Sequence, residues 1–209
     1  MNLIFDWSGT LSDDFNSVYD SVMTVMDSLV GKRISKEEFK EKFTLPYMNF
    51  FWDNYNKNIK KEDCDKIFTK SINEASKPKP YTGVVKTLKI LHLKPFKCKM
   101  IIVSSHKTPN LLQEAEEYGV KQYFQEINGD VYDKTLAIEK IIIRNKFKVS
   151  ETCFIGDMTH DIDAGRAAKV KTIAVDWGYQ SRDVLKKHNP DYIVSSFNEL
   201  IDLLKKINF

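Results

Sequence analysis

Three short apolar runs punctuate the chain, and each ends abruptly in polar residues. Leu3-Ile4-Phe5 meets Asp6-Trp7-Ser8-Gly9-Thr10-Leu11, and Met100-Ile101-Ile102-Val103 meets Ser104-Ser105-His106. Thr152-Cys153-Phe154-Ile155 meets Gly156-Asp157-Met158-Thr159-His160-Asp161. Runs rich in β-branched and aromatic residues with polar ends read as buried strands. Helical spacing of apolar positions predicts helices over roughly 84–93, 109–118, 134–144, 161–168 and 197–207. Strands alternating with helices in this way predict a parallel sheet with helices on both faces.

A different pattern fills the stretch from Asp13 to Ala75, which reads as helical and holds no strand. Val18, Val22, Val25, Met26 and Leu29 mark one helical face, with Gly31 as its stop. Ser35 followed by Glu38 is a capping-box signal for a second helix. Tyr47, Phe50, Phe51 and Tyr55 suggest a third, and Cys64, Ile67, Phe68, Ser71 and Ile72 a fourth. The block is too short for a large domain and too apolar for a loop, so it reads as a helical cap inserted after the first strand. Lys77-Pro78-Lys79-Pro80-Tyr81-Thr82-Gly83 is the clearest linker, because proline disfavours helix in the residue before it. Paired with Leu11 to Asp14, it would form a two-stranded hinge. The predicted fold is α/β: a Rossmann-like parallel-sheet core from 1–12 and 80–209, and a helical cap over 13–79.

Composition narrows the partners. A chain of 209 residues has room for one ordinary domain plus a small insertion. Net charge is only +3, from 32 basic and 29 acidic residues without a single-sign block, which does not suggest nucleic acid or an anionic membrane surface. Cys64, Cys98 and Cys153 are widely spaced, which argues for a reducing compartment and against a disulfide framework or zinc site. Neither a secretion-signal pattern nor a membrane-length apolar run is present, so a cytoplasmic location is expected.

If the three strands are parallel neighbours, Asp6, Ser104 and Asp157 converge on the carboxyl edge of one sheet, where open α/β folds bind ligands. With Lys134, they would hold a divalent cation and an anion, a set suited to phosphoryl transfer. Asp6 alone could be a nucleophile, a ligand for a hard cation or a helix N-cap. Ser104, with the backbone N–H groups of Ser105 and Gly9, could hold phosphoryl oxygens or simply cap the helix that opens near Pro109. Asp161 could touch a metal, orient a ligand water, or sit as an acid at a helix N-terminus. His160 is expected as an exposed loop residue, and Thr10 as a residue that holds loop geometry.

Taken in order, these residues resemble the haloacid dehalogenase superfamily, within it the phosphoglycolate-phosphatase-like hydrolases with a small helical cap. Its motifs are matched by Asp6 to Leu11, by Ser104, by Lys134 and by Gly156-Asp157 through Asp161. The stretches Ile173 to Tyr179 and Asp191 to Val194 are similar to the same subgroup. The resemblance implies a Mg²⁺-dependent hydrolase of a small phosphorylated metabolite, as a monomer or homodimer. Asp6 would be the nucleophile that forms an aspartyl-phosphate. Asp6, the Ser8 carbonyl and Asp157 would hold the metal, with Asp161 beside it. Gly9, Ser104, Ser105 and Lys134 would hold the phosphate.

One departure matters. The family's phosphatases carry a second aspartate, two residues after the nucleophile, as general acid and base, and here that position is Ser8. Metal binding through the carbonyl should survive while proton transfer slows, and His106 is the nearby imidazole that could substitute for the missing base. A tryptophan after the nucleophile and a small residue at position 8 also resemble phosphonoacetaldehyde hydrolases. Those need a cap lysine, for which Lys36, Lys40 and Lys42 are near the relevant region. Haloacid-dehalogenase-like hydrolysis and a weakly active phospho-ligand-binding protein are the remaining readings. In the cap, Leu45-Pro46-Tyr47 falls where the family places a substrate-contacting loop. The aromatics Tyr47, Phe50, Phe51 and Trp52 read as cap core, substrate cage or subunit interface.

Overall fold

The computed structural model describes residues 1–207. Six parallel strands form the main sheet: β1 (Asn2–Phe5), β4 (Lys99–Val103), β5 (Glu126–Asn128), β6 (Thr152–Gly156), β7 (Lys171–Val175) and β8 (Tyr192–Val194). Their spatial order is β5-β4-β1-β6-β7-β8. The chain builds outward from β1 on one side, then returns to build on the other. β1 is therefore the point where the strand order reverses, which is where such sheets open a ligand crevice.

Side-chain alternation along the strands divides the core between two faces. Leu3, Phe5, Met100, Ile102, Cys153 and Ile155 point to one face, covered by α5 (Val84–His92), α6 (Thr108–Glu117) and α10 (Phe197–Lys206). Ile4, Ile101, Val103 and Phe154 point to the other, covered by α7 (Lys134–Asn145) and α8 (Thr159–Ala167). A further helix, α9 (Arg182–Lys187), seats Leu185 against Ile162 and Ala174. The helices expected over 84–93, 109–118, 134–144, 161–168 and 197–207 are all present, with ends shifted by a residue or two. All three cysteines are buried and free. Among the described residues no helix is long and apolar enough to cross a membrane.

The inserted block forms α1 (Phe15–Leu29), α2 (Lys36–Lys42), α3 (Tyr47–Asn54) and α4 (Lys61–Glu74). Its core is aromatic: Phe39 is fully buried with Phe43 stacked on it at 4.5 Å, and Phe15, Tyr19 and Phe50 meet it edge-on. Ser35 caps α2 as its spacing suggests, its hydroxyl accepting the Glu38 N–H at 3.1 Å. Phe50 and Phe51 lie in this core, whereas Trp52 is partly exposed and donates from Nε1 to the Ile59 carbonyl at 2.9 Å. Cap and core are joined where β2 (Ser12–Asp13) pairs antiparallel with β3 (Lys79–Pro80).

Packing at Phe39 makes a direct test. Phe39→Ala should lower unfolding stability in urea by about 3–5 kcal/mol, because a large cavity opens among rigid rings. Ile143→Ser on α7, at a side chain 77% exposed, should cost under about 0.5 kcal/mol.

Candidate active site

Asp6 follows directly on β1, and its N–H donates to the Ile155 carbonyl at 2.9 Å, which ties it to the end of β6. Asp157 follows directly on β6, on the neighbouring strand. Lys134 opens α7 and brings its ammonium between acids: Nζ is 2.9 Å from Asp6 Oδ1 and 2.7 Å from Asp161 Oδ1. All four side chains are buried, with Asp157 at 0% exposure. The pairing of Asp6, Lys134, Asp157 and Asp161 follows from topology, since all four sit at the carboxyl edge of β1 and β6 or on the helices beside it.

Asp161 sits as an acid at the N-terminus of α8. Its Oδ2 accepts the Met158 N–H at 3.1 Å, capping α8, while Oδ1 faces Lys134. Asp157 accepts from the Thr10 hydroxyl at 3.1 Å and from the Tyr179 N–H at 2.7 Å. Thr10 thus holds the loop, as expected. Gly9 has φ of 72°, and a Cβ there would lie 2.3 Å from Asp157 Oδ2. Gly178 faces the same oxygen, where a Cβ would come within 2.2 Å. Two loops close on one carboxylate only because both lack a side chain at the contact.

Burial sets the electrostatics. It raises the Asp6 carboxyl above its ordinary pKa despite Lys134. It raises Asp157 far above, and the like charges of Asp6 and Asp161 add to the effect. Burial also opposes the Lys134 charge, but Asp161 and Asp6 overcome it and hold that ammonium above its usual value. Oxygens of Asp6, Asp157 and Asp161 all lie within 4.8 Å of one another. Three carboxyls against one ammonium leave excess negative charge, and an all-oxygen donor set is what Mg²⁺ takes, so the residues fit a hard divalent cation.

Other expected positions fall differently. Ser104 is buried at the end of β4, beside β1, but it does not cap α6, whose N-cap is Lys107. Its hydroxyl instead accepts the His106 N–H at 3.2 Å, and Ser105 is exposed next to it. His106 Nε2 lies 3.1 Å from Glu114, which raises its pKa against the effect of burial. Glu114 also accepts from Trp7 Nε1 at 2.7 Å, so Trp7 and His106 share one carboxylate. His160 corrects an expectation: it lies on α8 with a largely enclosed ring, not in an exposed loop. Burial, with Lys134 nearby, pushes its pKa down to about 3, and Nδ1 is buried without a partner. Leu45 and Tyr47 pack against the cap's own core, and the Tyr47 hydroxyl meets Asp65.

Asp14 and Tyr179 are read from the sequence only as the end of a hinge and of a family-like stretch, and Gln180 is given no role there. Asp14 precedes α1 and is buried, accepting the Gly9 N–H at 3.0 Å. The Ser8 and Tyr179 hydroxyls face its carboxyl and favour its charged form, yet burial outweighs them and lifts its pKa to about 6. Tyr179 is a buried ring wedged between Asp157 and the cap, 5.6 Å from Phe15 and 5.8 Å from Phe43 between ring centroids. Beside it Gln180 accepts the Thr159 N–H at 2.6 Å and donates to the Phe43 carbonyl at 2.8 Å, fastening cap to core. The Asp13-Asp14 pair flanking the hinge was the visible sign of Asp14, but spacing alone does not say which acid turns inward.

Comparison with known proteins agrees with this architecture. A family model described as haloacid dehalogenase-like hydrolase matches residues 3–175. The chain is 25% identical over 212 residues to pyrophosphatase PpaX of Halalkalibacterium halodurans, covering 97% of this chain and 95% of that protein. It is 28% identical over 130 residues to a phosphoglycolate phosphatase of Photobacterium profundum, covering 60% of this chain and 56% of that protein. A haloacid dehalogenase-like family hydrolase from Streptococcus pneumoniae shares the fold with a TM-score of 0.80 at 17% identity, covering 97% of each chain.

The acid cluster makes a prediction about metal. Saturating Mg²⁺ should raise the melting temperature of the wild-type protein, by the equivalent of about 2.7 kcal/mol at a hundredfold excess over Kd. Asp157→Asn should lose that shift in the same thermal scan. A shift of wild-type size in the variant would place the cation elsewhere.

Proposed function

The chain belongs to the haloacid dehalogenase-like hydrolases, and we propose that it is a Mg²⁺-dependent phosphatase of a small phosphorylated metabolite, acting through an aspartyl-phosphate on Asp6. The observation that carries the reading is the buried Asp6–Lys134 pair, 2.9 Å apart, at the strand where the sheet order reverses. Such a carboxylate is fixed by its strand and charge-balanced by a lysine, which is what an attacking oxygen needs beside an anionic substrate. The names of its relatives, a pyrophosphatase and a phosphoglycolate phosphatase, support a phosphate anhydride or ester as the bond that is cleaved.

Asp6, the Ser8 carbonyl and Asp157 would hold Mg²⁺, with Asp161 beside them, and the ion would neutralise charge on the phosphoryl group. The Asp6 carboxylate attacks phosphorus, the bond to the leaving oxygen breaks, and that oxygen needs a proton. Lys134 keeps Asp6 oriented and offsets the charge of the incoming phosphate. The backbone N–H of Ser105 is the candidate for holding its oxygens, with Ser104 shaping that turn, whereas the Gly9 N–H expected to join it is engaged by Asp14 and the Ser12 carbonyl. The closed cap, fastened through Gln180 and Tyr179, keeps bulk water from the acids.

Proton transfer falls to Ser8 and Asp14 together. A lone hydroxyl is a poor acid, but here a buried carboxyl lies behind it. Ser8 donates to the leaving oxygen and is reprotonated from Asp14; the water that later opens the aspartyl-phosphate returns its proton by the same route. Asp14 is thus a positioning and relay residue acting through Ser8.

Two outcomes are expected. Inorganic phosphate release from a panel of sugar and acid phosphates should depend on Mg²⁺ and drop to background in Asp6→Asn; activity equal to wild type in that variant would end the nucleophile assignment. Asp14→Asn should cost about 10²-fold in kcat/KM, which reads the steps up to formation of the aspartyl-phosphate, with alkyl phosphates, whose leaving group needs a proton, but under about tenfold with 4-nitrophenyl phosphate. Equal losses on both would reduce Asp14 to a structural residue.

A further inference from the structure

Helix α2 carries three lysines, and two of them are occupied. Lys36 Nζ donates to Asn16 Oδ1 at 2.5 Å, and Lys42 Nζ pairs with Glu38 at 2.6 Å. Lys40 is different. Among the described residues it makes no ion pair, and the close partner of its ammonium is the face of the Phe15 ring, 4.7 Å from the centroid. The side chain is half-buried, so its charge has lost part of its water without gaining a carboxylate in exchange.

Its place in the fold gives that charge a direction. The Lys40 carbonyl accepts the Ser181 N–H at 3.4 Å, and the neighbouring Glu41 meets the Ser181 hydroxyl, so this turn of α2 lies on the seam between cap and core. Ser181 continues the loop of Tyr179 and Gln180, and the Tyr179 N–H holds Asp157. Phe15, under the ammonium, is itself edge-on to Tyr179. A continuous path therefore runs from Lys40 through Phe15 and Tyr179 to the buried acids. The field at Lys40 comes from Asp157, Asp176, Glu37 and Asp13, none of them at ion-pair distance. Lys134, by contrast, is already spanned by Asp6 and Asp161.

We infer that Lys40 is an anion-binding residue of the cap, taking a second negatively charged group, carboxylate or phosphate, that lies on the substrate close to the phosphoryl group attacked by Asp6. The inference rests on the phosphatase reading above and narrows it to small substrates with two anionic ends. The alternative is that Lys40 acts as a neutral amine forming an imine with an aldehyde substrate. The ring face of Phe15 and the facing carboxylates favour the ammonium, but burial outweighs the carboxylates and holds its pKa below the ordinary lysine value, so the borohydride experiment below separates the two roles.

The test uses binding, so it does not depend on turnover. Affinities of methylphosphonate, phosphonoacetate and methylenediphosphonate, whose carbon–phosphorus bonds stand in for the scissile bond, are measured by calorimetry with Mg²⁺ present. Wild type should bind one or both two-anion probes at least about tenfold more tightly than methylphosphonate, the gain expected of one charged hydrogen bond. The probe that gains identifies carboxylate or phosphate as the second group. That preference should collapse in Lys40→Met and persist largely in Lys40→Arg; Lys40→Gln serves if the methionine variant does not fold. An undiminished preference in Lys40→Met or Lys40→Gln, or no preference in wild type, overturns the inference. So does borohydride trapping of phosphonoacetaldehyde on Lys40. Binding preference with no phosphate release in the Asp6 experiment would instead fault the phosphatase reading alone.

Discussion

The charge of Lys134 is the constraint on which the rest of this site depends. Three carboxyls packed within 4.8 Å of one another in a water-poor cleft would repel strongly, and an uncompensated buried charge costs several kcal/mol. Lys134 reaches two of them, while Thr10, Met158 and Tyr179 supply hydrogen bonds to the remaining oxygens of Asp157 and Asp161. The balance is still short of neutral. That residual negative charge makes the cluster a natural seat for a divalent cation and, with the cation, for a phosphoryl group.

Holding those acids so close requires backbone that comes closer than side chains allow. Gly9 and Gly178 both lie against Asp157, so the loop after β1 and the loop after β7 pinch a single carboxylate between them. The same loops then face the cap. Tyr179 carries the contact upward into the aromatic cluster of Phe15, Phe39 and Phe43, and Gln180 bonds both the start of α8 and the Phe43 carbonyl. One short segment thus shapes the acid cluster and docks the helical cap, which couples cap placement to the chemistry beneath it.

Much of this was legible along the chain. The strands β1, β4 and β6 were readable because central strands of a parallel sheet are buried on both faces and become unbroken apolar runs. The cap helices were readable because their apolar stripes recur at helical spacing. By contrast, β5 is three half-buried residues, Glu126 to Asn128, at the sheet edge, and Ile127 alone in it is apolar. The short helix α9 was missed for the same reason, since a six-residue helix has too little periodicity to register. His160 was misplaced because residue type suggests a surface position, while its ring is enclosed near Lys134 and Asp161.

By itself the sequence determined which residues end the strands, the alternation of strand and helix that predicts a parallel sheet, and the place where the cap is inserted. These are consequences of local pattern and of connection rules, which act along the chain. Only the tertiary structure decided that Asp14 turns inward behind Ser8, that Glu114 engages His106, and that Lys40 alone among the lysines of α2 lacks an oxygen partner. Those outcomes depend on which neighbours from distant segments arrive around a side chain, and on whether they bring water, charge or a ring. No spacing along the chain encodes that.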